Sequence, residues 1–292
     1  GFNDAEKVFL IRAARTHFVN GIIRYFSIFS DAANYGIHMA SIAIVFILAA
    51  ITTPLRKKRI LYGIVGILCI WGMFLSGTRT AIFCLLAGLG VYIFLSKSVK
   101  IAVPFTIVFL LFFIFMAFTK IGNGNPTIRR MRSAFNKEDA SLGVREYNKA
   151  TLKKYMVDAR WGIGIGLEAQ DIPSYCTMKI VSQIPPDSEY VYIWVRTGVV
   201  GITVFVITTL MMLFGACWNV LFRINNKSLR GLGAGFTCAF VSLQLGGYAN
   251  QILMQFPNVI IFYGGLALVY IFPYIDKEYT EWEKKELEKQ EE

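Results

Sequence analysis

Long apolar runs without charged residues are the feature that most restricts how this chain can fold. Of its 292 residues, 55% are hydrophobic and 15% aromatic, and the mean hydropathy is +0.51. A run of about twenty apolar residues is long enough to cross the hydrocarbon core of a bilayer as a helix. In lipid each backbone polar group must be satisfied within its own segment, which favours helices. The composition therefore excludes an ordinary soluble domain and predicts an all-α, polytopic membrane helix bundle.

Seven stretches are long enough to span a membrane, although the second and third are short. We place the predicted transmembrane helices near residues 36–54, 60–76, 80–96, 101–118, 194–222, 231–253 and 257–275. They form a single membrane domain over residues 1–275, followed by a charged tail over residues 276–292. Because the sequence opens on Gly1 without a targeting segment, we expect the first helices of the intact protein to precede it.

Basic residues in the short loops predict the orientation of the bundle. Four cations lie in residues 55–59, two in residues 96–100 and three in residues 222–230. The positive-inside rule places all three loops, and with them the C-terminal tail, in the cytoplasm. The tail is expected to be a short solvated helix or disordered. The external side then holds residues 1–35, 76–80, 119–193 and 254–256.

The long external loop, residues 119–193, is the place where structure outside the membrane can form. Loops of this length are usually functional. We predict one amphipathic helix in it, over residues 144–161. Its apolar side is expected to carry Val144, Tyr147, Leu152 and Met156. The glycine-rich turn that follows, residues 162–166, lacks the Lys-Ser/Thr end of a phosphate loop, so no nucleotide is expected there. A nucleic acid is not predicted as a partner.

Arginines are concentrated on the predicted external side. They are Arg12, Arg15, Arg24, Arg79, Arg129, Arg130, Arg132, Arg145 and Arg160, with Arg196 near the membrane boundary. Guanidinium groups bind phosphate bidentately, which a lysine cannot do. A phosphate-bearing lipid is therefore the ligand that this pattern indicates. Anchoring to lipid headgroups is the alternative, and it is the reading that we favour for Arg129, Arg130 and Arg132.

Two of these arginines stand in unusual places. Arg79 lies in a very short turn between two apolar helices, where a charge is costly unless it snorkels to the headgroups, pairs or binds a ligand. Arg145 lies near the start of the predicted amphipathic helix, where a cation opposes the helix dipole. Its place suggests a role beyond helix stability, with surface solvation as the alternative.

Three charged residues also stand at the threshold of the fifth predicted span. Asp187, which follows Pro185 and Pro186, could cap the helix N-terminus or act as a general base. Glu189 is expected to be a partner of the helix dipole in the first turn, and it is the second candidate for the base. Arg196 is expected to face the bundle or to snorkel outward.

Histidine and cysteine residues do not predict a metal site or a disulfide framework. His17 and His38 have no partners at metal-ligand spacing, and we expect His38 to be a residue of the bundle. Four cysteines stand in apolar runs and a fifth in the polar external loop: Cys69, Cys84, Cys217, Cys238 and Cys176. We expect the first four to be buried as small hydrophobic residues. No metal or other cofactor is predicted.

Several motifs together resemble one family. Asp187-Ser188, nine further residues and then Gly198-Val-Val-Gly201 resemble the His-[Asn/Ser/Gln]-x9-Gly-x-x-Gly signature of the bacterial O-antigen ligase and polymerase family. SGTRTAIF, residues 76–83, is similar to the family's Ser-x-Ser-Arg helix start. Residues 144–166 resemble its Arg-led external helix, which ends in a Gly-x-Gly turn, and residues 24–36 resemble its approach to a membrane helix. The resemblance covers nearly the whole chain.

The resemblance implies an enzyme of the bacterial inner membrane that transfers a glycan from an undecaprenyl-pyrophosphate carrier at the outer face. The acceptor in this family is lipid A–core, another carrier-linked glycan or a protein, and no metal or nucleotide is needed. Arg79 and Arg145 would bind the pyrophosphate. The further candidates for substrate contacts are Arg24, Arg160, Glu189 and Arg196.

The sequence departs from the family at the proposed base, because Asp187 stands where the family has the histidine that activates the acceptor hydroxyl. A carboxylate can do the same work, and carboxylic acids as a class titrate below histidine, which predicts less sensitivity to mild acidity. The alternatives are that catalysis is lost at this position or that Glu189 is the base. A transporter of lipid-linked glycans, which would carry charges at the membrane midplane, and a protein that only binds the carrier are the non-enzymatic alternatives.

Overall fold

The computed structural model describes most of the chain and shows it to be helical. The described residues are 4, 7–8, 11, 18–19, 22–96, 99–132, 140–156, 159–164 and 178–291. Within them the only strands are the two-residue pair Phe18–Val19 and Ile22–Ile23, which is antiparallel. The predicted all-α class is confirmed.

The helices of the described chain are numbered here in sequence order. They are α1 (Ala32–Thr52), α2 (Arg56–Leu75), α3 (Arg79–Leu95), α4 (Val99–Phe118), α5 (Pro126–Arg132), α6 (Ala140–Met156), α7 (Met178–Gln183), α8 (Glu189–Trp218), α9 (Lys227–Ala249) and α10 (Gly265–Glu291). One π-helical turn, Asn219–Arg223, continues α8, and another, Ile260–Gly264, leads into α10.

Each of the seven predicted spans overlaps a helix, but fewer helices are long and apolar enough to cross a membrane. Among the described residues four segments meet both requirements: Ala32–Thr52, Arg56–Leu75, Glu189–Arg223 and Ile260–Gln290. Helix α3 is apolar but has only 17 residues. The chain is therefore an integral membrane protein with four candidate spans, and the count of seven stays a prediction.

Helices α1 and α9 form the centre of the bundle. Helix α1 packs on α2, α3 and α9, and α9 also contacts α8 and α10. The two central backbones approach closely at Gly235, where an added Cβ atom would lie only 3.0 Å from Cα of Val45. Small residues permit such an approach between membrane helices. The side chains buried at this centre include Ile37, Ile44, Leu48, Phe240 and Leu243.

The C-terminal tail was predicted to be a short solvated helix or disordered, and the part that the structure describes is a helix whose residues are mostly exposed. Helix α10 continues without a break to Glu291. Asp276 accepts hydrogen bonds from the backbone N–H groups of Asn225 and Asn226, at 3.1 and 2.9 Å. Glu283 accepts from the side chains of Asn226 and Ser228. These two buried carboxylates hold one face of the tail helix against the loop between α8 and α9.

The external loop contains three described helices, α5, α6 and α7, where the sequence predicted one. Helix α6 begins at Ala140 and ends at Met156, so the predicted bounds of 144–161 are wrong. Leu152 and Met156 are buried as expected, but Val144 is 59% and Tyr147 72% exposed. Among the described side chains of α6, those near its C-terminus pack in a small cluster with Val181 and Val195, and this cluster does not include Val144 or Tyr147.

Candidate functional site

A cavity of about 620 Å³ lies at the end of the bundle where α1, α3 and α8 begin and α9 ends. Ligand pockets in proteins occupy roughly 300–1,000 Å³. Four of the candidate site residues predicted from the sequence line it together: Arg24, Arg79, Arg145 and Asp187. The basic residues 56–59 begin α2, whose other end leads into the turn that lines the cavity, so they lie at the opposite end of the bundle.

Arginines gather on the turn between α2 and α3. Arg24 donates from Nε to the carbonyl oxygen of Ser76 at 3.2 Å and from Nη2 to Oγ1 of Thr78 at 3.1 Å. Arg130 donates from Nε to the carbonyl oxygen of Gly77 at 3.0 Å. Gly77 has a φ of 59°, which glycine adopts without strain. The turn thus holds two guanidinium groups beside Arg79, the first residue of α3.

The charges at this turn are held in an unfavourable environment. Burial, followed by the nearby Arg130, lowers the pKa of Arg24 to about 10; Asp31 opposes this change and Arg79 adds to it. Burial also lowers the pKa of Arg130. Both effects disfavour a cation. An anion in the cavity would offset the repulsion between these groups, so the electrostatics favour a negatively charged ligand.

Helix α6 contributes another side of the cavity with Arg145, Glu146 and Lys149. Arg145 was predicted to open this helix, but α6 begins at Ala140, which puts Arg145 in its second turn. The helix dipole acts mainly within the first turn, so the argument from an opposed dipole does not apply. What distinguishes Arg145 is its place at the cavity, where it is close enough to repel Arg79 electrostatically.

Asp187 enters the cavity from the segment before α8. It accepts a hydrogen bond from Nδ2 of Asn148 to its Oδ2 at 2.8 Å. The residue at the helix N-cap is Ser188, whose side chain donates instead to the carbonyl oxygen of Gly247 at 3.1 Å. The alternative in which Asp187 caps α8 is therefore wrong, because its carboxylate is turned toward α6.

Glu189, the second candidate for the base, does not line the cavity. It is 1% exposed, and its Oε2 accepts from the backbone N–H of Leu253 at 3.0 Å. The backbone N–H groups of Ile252 and Met254 also interact with this carboxylate. Glu189 therefore ties the start of α8 to the segment after α9, and its geometry supports a structural role.

Arg160 and Arg196 lie outside the cavity, at a break in α8. Gly198, which has a φ of 71°, interrupts the helix. The polar groups freed by this break pair with residues 159–164, which we call the strap. The pairs are Ile163 N to Val195 O, Gly164 N to Arg196 O, Val199 N to Ala159 O and Val200 N to Arg160 O, at 2.9 to 3.3 Å. The two glycine motifs in the sequence thus serve one contact between the strap and the broken helix.

Arg196 also donates from Nη1 to the carbonyl oxygen of Gly164 at 3.4 Å, and its guanidinium lies over the ring of Tyr192. Arg160 is exposed. The structure thus places both arginines at the strap and not with the cavity arginines.

Headgroup anchoring was the interpretation favoured for three arginines of α5, and the structure separates them. Arg130 lines the cavity. Arg132 donates to the carbonyl oxygens of Thr119 and Phe115, so it caps the C-terminal end of α4. Arg129 is exposed. Nothing in the local sequence distinguishes them, because their different places result from how α5 packs beside the turn of residues 76–79.

Uncharged residues that the sequence analysis did not single out also line the cavity. Tyr248 and Asn250, at the end of α9, are the polar ones among them. No local motif marks these positions.

His38 and three of the four cysteines in apolar runs are buried, as predicted. His38 is buried, and its Nδ1 lies 2.7 Å from Oδ1 of Asn258. Cys69, Cys84 and Cys238 are buried, and Cys217 is partly buried. Within the described part of the chain no three His, Cys, Asp or Glu side chains are grouped so that they could hold a metal ion. Four predicted positions lie outside the described residues: Arg12, Arg15, His17 and Cys176.

The fold and the cavity define the class of protein first: it is a helical membrane protein with an arginine-lined cavity at one end of its bundle. Residues 64–206 match the sequence model of the family described as O-antigen ligase. This match confirms the family resemblance over just under half of the chain, and the matched residues include Arg79, Arg145 and Asp187. The family implies, in general terms, a glycosyltransferase-like membrane enzyme. No curated protein and no solved structure matches the chain.

Proposed function

We propose that this protein transfers a glycan from an undecaprenyl-pyrophosphate carrier to an acceptor hydroxyl at the outer face of the bacterial inner membrane. The observation that carries the proposal is the single cavity that gathers Arg79, Arg145 and Asp187. These residues come from three separate family motifs, on α3, on α6 and before α8. A cavity that contains both cations and a carboxylate suits a reaction in which an anion is bound and a proton is removed.

The carrier pyrophosphate binds among Arg24, Arg79, Arg130 and Arg145. Arg24 and Arg130 are bonded to one turn before any ligand arrives, Arg79 begins the helix after that turn, and Arg145 comes from α6. Preorganised cations stabilise charge that develops on a leaving group without reorganising during the reaction. Negative charge grows on the pyrophosphate as it leaves, so these arginines favour the transition state.

Asp187 is the general base. Asn148 holds its Oδ2, and no described residue donates a hydrogen bond to Oδ1, which can take the acceptor proton. The acceptor oxygen then forms a bond to the anomeric carbon of the donor sugar. The bond between that carbon and the pyrophosphate oxygen breaks, and its electron pair leaves with the carrier. Attack opposite the leaving group inverts the anomeric centre.

The positive-inside rule supports an orientation in which the cavity faces outside the cell. Basic residues 56–59 and Arg223, Lys227 and Arg230 lie at the other end of their helices, where the positive-inside rule expects cytoplasm. The C-terminal tail, which is bonded to the loop between α8 and α9, is then cytoplasmic. The acceptor is lipid A–core, a carrier-linked glycan or a protein, which distinguishes a ligase, a polymerase and a protein oligosaccharyltransferase.

The test is glycan transfer by the protein in proteoliposomes, with carrier-linked glycan extracted from the native bacterium as donor. Asp187→Asn is expected to lower transfer by about a hundredfold or more, as the loss of a general base does. Arg79→Ala, Arg145→Ala and Arg130→Ala are expected to weaken binding of undecaprenyl pyrophosphate. Arg129→Ala is the matched control, because this exposed neighbour does not line the cavity. Full transfer by Asp187→Asn, or equal effects of Arg129→Ala and Arg130→Ala, would contradict the proposal.

A further inference from the structure

We infer that the end of α9 forms the acceptor subsite of the cavity and that it binds a sugar ring that bears the attacking hydroxyl. The subsite consists of Tyr248 and Asn250. The inference rests on the proposed function, because it names the chemical class of the acceptor in that reaction.

The lining of the cavity divides by charge. The cations come from Arg24, from the start of α3, from α5 and from α6. Helix α9 contributes Leu245, Tyr248, Ala249 and Asn250, none of which is charged. A pyrophosphate is attracted to the cationic side of the cavity, so the α9 side is available for an uncharged part of the substrates.

Asp187 stands between these two sides. Its carboxylate is bonded to Asn148 of α6, the helix that carries Arg145. The next residue, Ser188, is bonded to the carbonyl oxygen of Gly247 in α9. A base must contact the acceptor hydroxyl while the arginines hold the leaving group. The acceptor therefore meets Asp187 from the α9 side.

Asn250 supplies an unusual hydrogen-bond donor on that side. Its Nδ2 atom is buried and has no hydrogen-bond partner among the described residues. Buried polar groups are nearly always paired, and an unpaired donor weakens the fold. Asn250 lines the cavity, so a rotation of its side chain would let this amide donate to a hydroxyl or ring oxygen of a bound sugar.

Tyr248 supplies an aromatic surface beside the amide. It lines the cavity, and yet its side chain is 66% exposed. Sugar rings present a face of C–H groups that packs on an aromatic ring, while their hydroxyls pair with amides. An exposed aromatic ring next to a neutral donor therefore fits a sugar better than it fits an anion. In the reaction the sugar hydroxyl gives its proton to Asp187, and its oxygen replaces the pyrophosphate on the donor carbon.

The test separates acceptor from donor binding in the full chain. Octyl glucoside, octyl galactoside and octyl N-acetylglucosaminide serve as acceptors, a serine- and threonine-containing peptide serves as the competing class, and undecaprenyl pyrophosphate serves as the donor-side probe. Tyr248→Ala and Asn250→Leu are each expected to raise the KM of the accepted glycoside by about tenfold. The dissociation constant of undecaprenyl pyrophosphate is expected to stay unchanged.

Two further variants control for the fold and the ring. Tyr248→Phe keeps the aromatic face and is expected to retain the wild-type KM. Tyr147→Ala removes an equally exposed tyrosine that does not line the cavity, and it is expected to change neither constant. Asn250→Leu replaces an unpaired donor with an apolar group of similar shape, so its melting temperature should not fall.

The outcomes distinguish the two proposals. Two outcomes overturn the acceptor subsite alone. In the first, the wild type binds the carrier but transfers glycan only to the peptide. In the second, neither Tyr248→Ala nor Asn250→Leu changes the KM of the glycoside. Weaker carrier binding in Tyr248→Ala and Asn250→Leu also overturns the subsite, because the residues would then belong to the donor side. A wild-type protein that neither binds undecaprenyl pyrophosphate nor transfers glycan overturns the proposed function, and the acceptor subsite with it.

Discussion

Oδ2 of Asp187 accepts a 2.8 Å hydrogen bond from Nδ2 of Asn148, and this bond joins the proposed base to the helix that carries Arg145. The backbone of Asp187 has a φ of 52°, a left-handed conformation that residues other than glycine adopt rarely. Such conformations persist where the surrounding structure determines them, and they are common at active sites. Asn148 is therefore a positioning residue for Asp187.

Replacing Asn148 should affect turnover more than substrate binding. Asn148→Leu removes the bond to Asp187, and we expect kcat to fall by about tenfold, the equivalent of one lost hydrogen bond. The dissociation constant of undecaprenyl pyrophosphate should not change, since Asn148 is uncharged. Lys153→Ala, an exposed change on the same helix, is the control. A carrier affinity that falls in parallel with kcat would show that Asn148 acts through the fold of the cavity instead.

The variant Asn148→Asp tests how the rate of glycan transfer depends on pH. It places a second carboxylate beside Asp187, and a like charge raises the pKa of a carboxyl group. The base is active only when it is ionised, so a raised pKa moves the onset of activity to higher pH. The rate of glycan transfer by Asn148→Asp should therefore rise over a pH range in which the wild-type rate is flat. Parallel profiles for the two proteins would contradict this expectation.

Asp187→His restores the residue that the family signature has at this position. We expect the variant to retain part of the activity and to gain a dependence on mild acidity. A histidine acts as a base only when neutral, and an unperturbed imidazole has a pKa of about 6.5. The rate of the variant should therefore fall as the pH drops through that region, while Asp187→Asn stays inactive throughout. An inactive histidine variant with intact carrier binding would show that the geometry at this position is specific to a carboxylate.

The sequence predicted well what depends on local chemistry. Runs of apolar residues placed helices at all seven predicted spans, because the bilayer leaves few other structures for such segments. Motif spacing picked out Arg79, Arg145 and Asp187, which share one cavity. It also marked Gly198, although the reason for a glycine there is visible only in the structure.

What depends on packing between distant segments was not predictable. Arg130 and Arg129 are adjacent and chemically identical, yet only Arg130 lines the cavity. Glu189 was expected to interact with its own helix, but its carboxylate bonds to Leu253, 64 residues away. Tyr147 was predicted on the apolar side of its helix, but the described cluster that buries Leu152 and Met156 does not include it. In each case the surroundings of the side chain depend on which distant segment packs against it.

The contact between the strap and the broken helix can be tested at Gly198. An alanine there would be strained, because φ is 71° and the new Cβ would collide with the carbonyl oxygen of Arg160. We expect Gly198→Ala to destabilise the protein by about 1–3 kcal/mol, the range for a residue forced into a rarely populated conformation. Gly63→Ala is the matched control, since its Cβ would meet no atom within 4 Å and alanine favours a helix. Thermal unfolding in detergent measures both, and equal melting temperatures would argue against the contact.

The last prediction concerns the docked tail. Glu283 is buried and accepts from the side chains of Asn226 and Ser228, which begin α9. Glu283→Ala leaves both donors without this acceptor, and an unsatisfied buried donor costs about 1–3 kcal/mol. We therefore expect a clear fall in the melting temperature, together with faster proteolysis of the C-terminal segment. Glu281→Ala, an exposed change two residues earlier in the same helix, should alter neither. If both variants are cleaved at the wild-type rate, the carboxylate does not hold the tail, and the apolar contacts of α10 alone account for its position.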